Sequence, residues 1–85
     1  MPEDNAETVD RRRVLAFGQR VRTLREEHGV SQEHLADVAG LHRAVIGFVE
    51  RGEREPGLTN VWRIADGLGV TVAELFDGLD PHASA

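Results

Sequence analysis

The chain has no cysteine, no lysine and no long apolar run in its 85 residues. Without cysteine there is neither a disulfide framework nor a thiolate metal site, and the absence fits a reducing, cytoplasmic setting. A membrane-spanning helix needs about 20 consecutive apolar residues, and no stretch approaches that length, so no membrane partner is expected. Residues 1 to 10 are acidic and lack the basic and apolar regions of a signal peptide. His28, His34, His42 and His82 do not form a His-x3-His pair on one helix, so no metal site and no cofactor are expected. No nucleophile–base–acid set and no phosphate loop is visible, and an enzyme is therefore not expected.

What is present bounds the rest. Eighty-five residues allow one small domain with a thin core, a size at which oligomerisation often supplies missing stability. The formal net charge is -5, which argues mildly against a polyanionic partner, but the distribution matters more than the total. Residues 11 to 25 carry Arg11, Arg12, Arg13, Arg20, Arg22 and Arg25 and no acid, whereas residues 1 to 10 and 66 to 85 each carry four acids and no Arg or Lys. The bases thus lie in the first helical stretch and in the middle of the chain. All ten basic residues are arginine, a bias that fits a GC-rich genome as readily as phosphate binding.

Hydrophobic periodicity predicts five helices and no strand. Residues 1 to 8 read as a disordered acidic tail, 9 to 79 as the folded domain and 80 to 85 as a frayed C-terminal tail. A first helix is expected from Val9 or Asp10 to about His28, burying Val14, Phe17, Val21 and Leu24, with Gly29 ending it. Ser31 is a good N-cap for a second helix from residue 32 to 39. His42 occupies the N-cap position of a third, from 43 to about 51, stopped by Gly52. A fourth is expected from about 59 to 68, with Val61, Trp62, Ile64, Ala65 and Leu68 mostly inward and Trp62 in the core. Thr71 and Glu74 form a capping box for a short fifth helix.

The second and third helices carry the most information. Leu35, Ala36 and Ala39 share one face of the former; Ile46 and Val49 share one face of the latter. Gly40 sits between them, where a left-handed residue would end the first of the pair, and small Ala36 permits a close crossing. These are the physical requirements of a helix-turn-helix, whose second helix enters the DNA major groove.

At these residues the chain resembles the xenobiotic-response-element (XRE) family of phage-repressor-like helix-turn-helix proteins. The resemblance runs over roughly residues 14 to 79. It is carried by Leu24-Arg25, Gly29-Val30-Ser31-Gln32, Leu35-Ala36, Ala39-Gly40-Leu41, Ile46, Glu50-Arg51-Gly52, Pro56, Ile64-Ala65, Leu68-Gly69-Val70 and Glu74-Leu75-Phe76. Leu41-His42-Arg43 and the run from Val49 to Arg54 are further similar to restriction-modification controller proteins. The resemblance implies an all-α, compact five-helix domain that binds double-stranded DNA as a dimeric transcriptional regulator.

It also implies roles. Gln32 would bond a DNA phosphate and brace the recognition helix, aided by the dipole of its own helix. Arg25 and Glu50 would pair between the first helix and the end of the recognition helix, with Arg25 also near a phosphate. From side-chain chemistry, Arg43 suits guanine O6 and N7 bidentately, or a phosphate. His42 suits capping, a phosphate, or both. Ala44 and Val45 suit thymine methyls, and Gly47 permits a close approach to the DNA backbone. Phe48 departs from the polar or small residue usual in the family. Two readings stand for it: contact with a thymine methyl or base step, or packing against the first helix or a neighbouring subunit. Arg51 and Arg54 suit phosphates, although Glu53 and Glu55 interleave with them. Arg11, Arg12 and Arg13 either reach flanking phosphates or form a solvated face. Val72, Leu75, Phe76 and Leu79 are expected in part at a two-fold dimer interface, setting two recognition helices about one DNA turn apart on a near-palindrome. No separate effector domain is expected within 85 residues. The alternative function is a protein-interaction module on the same fold, such as an antitoxin, with a toxin or polymerase as protein partner.

Overall fold

Asn5 starts the first helix by accepting a hydrogen bond from the Thr8 backbone N–H at 2.9 Å. The computed structural model describes residues 5–79. It contains α1 (Ala6–Glu27), α2 (Gln32–Ala39), α3 (Arg43–Glu50), α4 (Leu58–Leu68) and α5 (Val72–Leu75), with no strand among the described residues. The start at Ala6 is earlier than the Val9 or Asp10 that periodicity suggests. Asn5 is the better cap, and Glu7 in the first turn complements the helix dipole. Of the tails expected at residues 1 to 8 and 80 to 85, residues 1 to 4 and 80 to 85 lie outside the described residues, and residues 6 to 8 belong to α1 instead of a disordered tail. No described helix is long and apolar enough to cross a membrane.

Local chemistry explains most boundaries. Ser31 Oγ accepts from the His34 N–H at 3.0 Å and begins α2. Gly40, at φ 71°, ends α2 in the left-handed conformation that glycine adopts without penalty. Thr71 and Glu74 complete their capping box at the start of α5. His42 stands at the N-cap of α3, but its ring makes no capping bond.

The helices bury one stripe each. Phe17, Val21 and Leu24 of α1 meet Leu35 and Ala36 of α2, Ile46 and Val49 of α3, Val61, Ile64, Ala65 and Leu68 of α4, and Leu75 of α5. Full burial of each larger aliphatic side chain contributes about 1.5–3 kcal/mol. Two expectations fail here. Trp62 is 51% exposed rather than in the core. On α4 the buried stripe is Val61, Ile64, Ala65 and Leu68, and one residue's rotation of about 100° carries Trp62 off it. Leu75 is fully buried, so its surface is consumed inside the monomer and is not available to a dimer interface.

Gly18 sets how closely α1 approaches α3. A Cβ there would collide with the Val49 carbonyl oxygen and lie 2.9 Å from that of Glu50. Only a bare backbone lets α1 cross the end of α3 at this distance, and the crossing brings Arg25 over Glu50.

Candidate nucleic-acid interface

The site begins with the way α3 is held. Its inner face, Ile46 and Val49, is buried, while His42, Arg43 and Ala44 at its N-terminal end are exposed. At its C-terminal end Glu50 is buried, and its carboxylate is fully satisfied. Arg25 donates through Nε to Glu50 Oε2 at 2.6 Å and through Nη2 to Oε1 at 3.0 Å. Gln32 donates through Nε2 to Glu50 Oε1 at 3.0 Å. Arg25 Nη1 also donates to the Val30 carbonyl at 2.9 Å. The hydrogen bond from Arg25 to the Glu50 carboxylate outweighs desolvation and, with the charges of Glu50 and Glu26, raises the arginine pKa. One buried acid thus ties α1, the start of α2 and the end of α3 together. Such a pair fixes orientation more than it adds stability.

This geometry changes the expectation for Arg25. Its side chain is only 12% exposed and its donors point inward, so it positions the recognition helix and does not present a guanidinium at the surface. Gln32 is half-buried and braces Glu50.

Arg43 stands at the first position of α3, exposed and without an intramolecular hydrogen bond or ion pair among the described residues. It lines an open groove at the turn with Glu33, Asp37, Leu41 and His42. The acids of α2 make that groove electrostatically mixed. Val45 is half-buried and leans on the core. Gly47 is buried rather than open to a ligand, because the Arg51 guanidinium covers it; a Cβ there would lie 3.0 Å from Arg51 Nη1.

Phe48 is half-buried beside the turn that follows α3. Its ring carries two arginines, with the guanidinium carbon of Arg54 4.4 Å and that of Arg51 5.5 Å from the ring centroid. The chain reverses at Gly52 (φ 68°), with Gly52 N–H bonded to the Val49 carbonyl and Glu53 N–H to that of Phe48. This turn returns residues 51 to 54 past the end of α3. Arg51 also donates to Glu53 at 2.9 Å.

Elsewhere, Arg11, Arg12 and Arg13 lie exposed on α1, and Arg13 is 3.7 Å from Asp10. Val72 and Leu79 are half-buried against the core. Phe76 is 44% exposed, with its ring 5.0 Å from that of Phe17. Leu58 and Trp62 are exposed one turn apart on α4. Leu58 and Phe76 line one apolar depression together with Val14, Phe17, Pro56 and Val61.

Three supporting residues escape a reading of motifs. Arg63 donates to the Gly40 carbonyl at 3.2 Å, tying α4 to the turn. Arg20 donates to the Glu74 carbonyl at 2.8 Å, tying α1 to α5. Gly18 is the third, and its signal was present: a glycine inside a helix costs about 1 kcal/mol relative to alanine and implies close packing.

Comparison with known proteins agrees with this architecture. Residues 21–75 match the HTH_3 family model, described as helix-turn-helix. The chain is 44% identical over 64 residues to the control protein C.BamHI of Bacillus amyloliquefaciens, covering 74% of this chain and 79% of that protein. It is 39% identical over 76 residues to the control protein C.SmaI of Serratia marcescens, covering 89% and 88%. The crystal structure of the restriction-modification controller protein C.AhdI from Aeromonas hydrophila superimposes with a TM-score of 0.73 at 46% identity, covering 74% of this chain and 96% of that one. The chain belongs to the HTH_3 helix-turn-helix family, the XRE-type DNA-binding transcriptional regulators.

Proposed function

We propose that this protein acts in the cytoplasm as a homodimer on a near-palindromic operator, reading each half-site in the major groove with the N-terminal half of α3. The observation that carries this reading is the contrast between the two ends of that helix. Its C-terminal end is fixed by Arg25, Gln32 and Glu50, while Arg43 at the other end is exposed and unpaired among the described residues. A rigid helix with a free arginine at its leading end suits bidentate recognition of guanine.

In this reading Arg43 reads bases and Ala44 contacts a thymine methyl. Val45 adds apolar contact from its exposed edge. His42, Gln32, Arg51 and Arg54 hold phosphates, and the buried Gly47 keeps the helix surface low. Few polar readers leave part of the specificity to DNA shape. The two-fold contact uses the apolar surface of Leu58, Trp62 and Phe76, with the exposed edges of Val72 and Leu79 beside it. Patches of this kind on a small domain mark association sites.

Selection of bound fragments from a random duplex pool tests the reading. Enrichment of an inverted repeat with half-sites about one helical turn apart supports it. Enrichment of a single unrepeated site removes the homodimer. Absence of any enrichment replaces operator binding with a protein-interaction role.

A further inference from the structure

Phe48 and Arg54 form a contact that the helix-turn-helix scaffold does not require. They lie six positions apart in sequence, and the glycine turn at Gly52 brings the arginine back over the ring at 4.4 Å. Two acids, Glu53 and Glu55, stand on either side of Arg54. Arg51 donates through Nε to one of them, Glu53, which occupies part of its donor edge. Arg54 has no carboxylate partner among the described residues; the ring of Phe48 is what it rests on.

The distinction has a chemical consequence. A carboxylate would orient a guanidinium but cancel its charge and occupy its donors. An aromatic face orients it through the ring quadrupole and leaves its charge and its N–H edge free. We propose that Phe48 is a positioning residue for DNA binding: its ring holds the Arg54 guanidinium, fully charged, where it meets a backbone phosphate beside the recognition helix. This deepens the operator-binding reading and rests on it. It also accounts for a bulky aromatic on the recognition helix without assigning it a base to read.

Binding to the selected duplex over a salt series tests the proposal, using the full chain and the variants Phe48→Leu, Phe48→Tyr, Arg54→Ala and the Phe48→Leu/Arg54→Ala double. Phe48→Leu keeps apolar volume without a π face, and circular dichroism checks that its helices persist. Arg54→Ala is expected to reduce the slope of log K against log salt by about one per half-site, and so by about two for the homodimer. Phe48→Leu is expected to weaken binding about three- to tenfold, uniformly across operator sequences, and Phe48→Tyr to bind as the parent does. The double variant is expected to bind no more weakly than Arg54→Ala alone. In the free protein, the Arg54 side-chain protons are expected to show an upfield ring-current shift in NMR spectra that Phe48→Leu abolishes.

Unchanged affinity in Phe48→Leu, additive losses in the double variant, or an altered base preference in Phe48→Leu each overturn the proposal while leaving operator binding intact. A parent protein with no salt-dependent duplex binding overturns the operator reading itself, and the proposal with it.

Discussion

Arg25 and Glu50 meet through two hydrogen bonds, Nε to Oε2 at 2.6 Å and Nη2 to Oε1 at 3.0 Å, across the junction of α1 with the end of α3. Both side chains are largely out of water, at 12% and 3% exposed. Two surfaces that share no sequence proximity are thereby locked at one angle. The exposed N-terminal end of α3 inherits that angle, because eight residues of helix are too short to bend.

Removing one partner should therefore cost more than the pair contributes. Glu50→Ala leaves a buried guanidinium uncompensated, a loss of about 3 kcal/mol or more, which lowers the Tm of a domain this size by roughly 12 °C or more. Glu50→Gln keeps an acceptor oxygen for Arg25 and should lose less. A double replacement, Arg25→Met with Glu50→Leu, should recover most of the stability and still weaken operator binding, because orientation is lost. Thermal melts and duplex titrations check both halves; a stable Glu50→Ala variant defeats the assignment. Because the Arg25 pKa is raised in the folded state, its contribution is complete at all ordinary pH values. It is lost only in strong alkali, so the Arg25 side of the pair should add no slope to stability near neutrality.

The crossing at Gly18 yields an opposite-sign test of helix propensity. On propensity alone, Gly18→Ala should stabilise α1 by about 1 kcal/mol. The Cβ would instead meet the carbonyl oxygens of Val49 and Glu50, which are backbone atoms and cannot rotate away. The net effect should be a destabilisation of about 1–3 kcal/mol, read by urea denaturation. A Gly18→Ala protein as stable as the parent would show that α1 and α3 lie farther apart than described.

Legibility from sequence followed the range of the interaction. The caps at Ser31 and Thr71 and the left-handed turn at Gly40 are local, and each was visible within four residues. The Arg25–Glu50 pair spans 25 residues and was accessible only through family resemblance. Trp62 escapes a reading by residue type, because its angle on α4 and not its aromatic bulk sets its burial. Leu75 escapes it too, because a four-residue helix gives too few positions to separate an inner from an outer face. Phe48 could be paired with Arg51 at i+3 on helical spacing, but Arg54 lies beyond the turn, and no periodicity carries across a chain reversal.

Trp62 is the single tryptophan, which makes the proposed dimer face directly observable. It is 51% exposed in the isolated chain, so dilute protein should show red-shifted emission. Dimerisation through Leu58, Trp62 and Phe76 should shift the emission to the blue as concentration rises, in step with sedimentation. Trp62→Glu should give a folded monomer with much weaker operator binding. Emission that stays red while sedimentation reports a dimer would place the two-fold contact elsewhere.

Arg43 and Arg54 should separate the two components of recognition. Both are exposed and neither has a carboxylate partner among the described residues, so alanine at either position should leave the Tm nearly unchanged. At the leading end of α3, Arg43→Ala should cost about 1–3 kcal/mol per half-site on the preferred operator and much less on duplexes changed at the contacted base pair. Arg54→Ala should weaken all duplexes alike and flatten the salt dependence. The ratio of specific to non-specific affinity therefore falls in the first variant and holds in the second. If both variants lose affinity uniformly, Arg43 holds a phosphate rather than a base, and sequence discrimination then rests on the apolar contacts of Ala44 and Val45 and on DNA deformation.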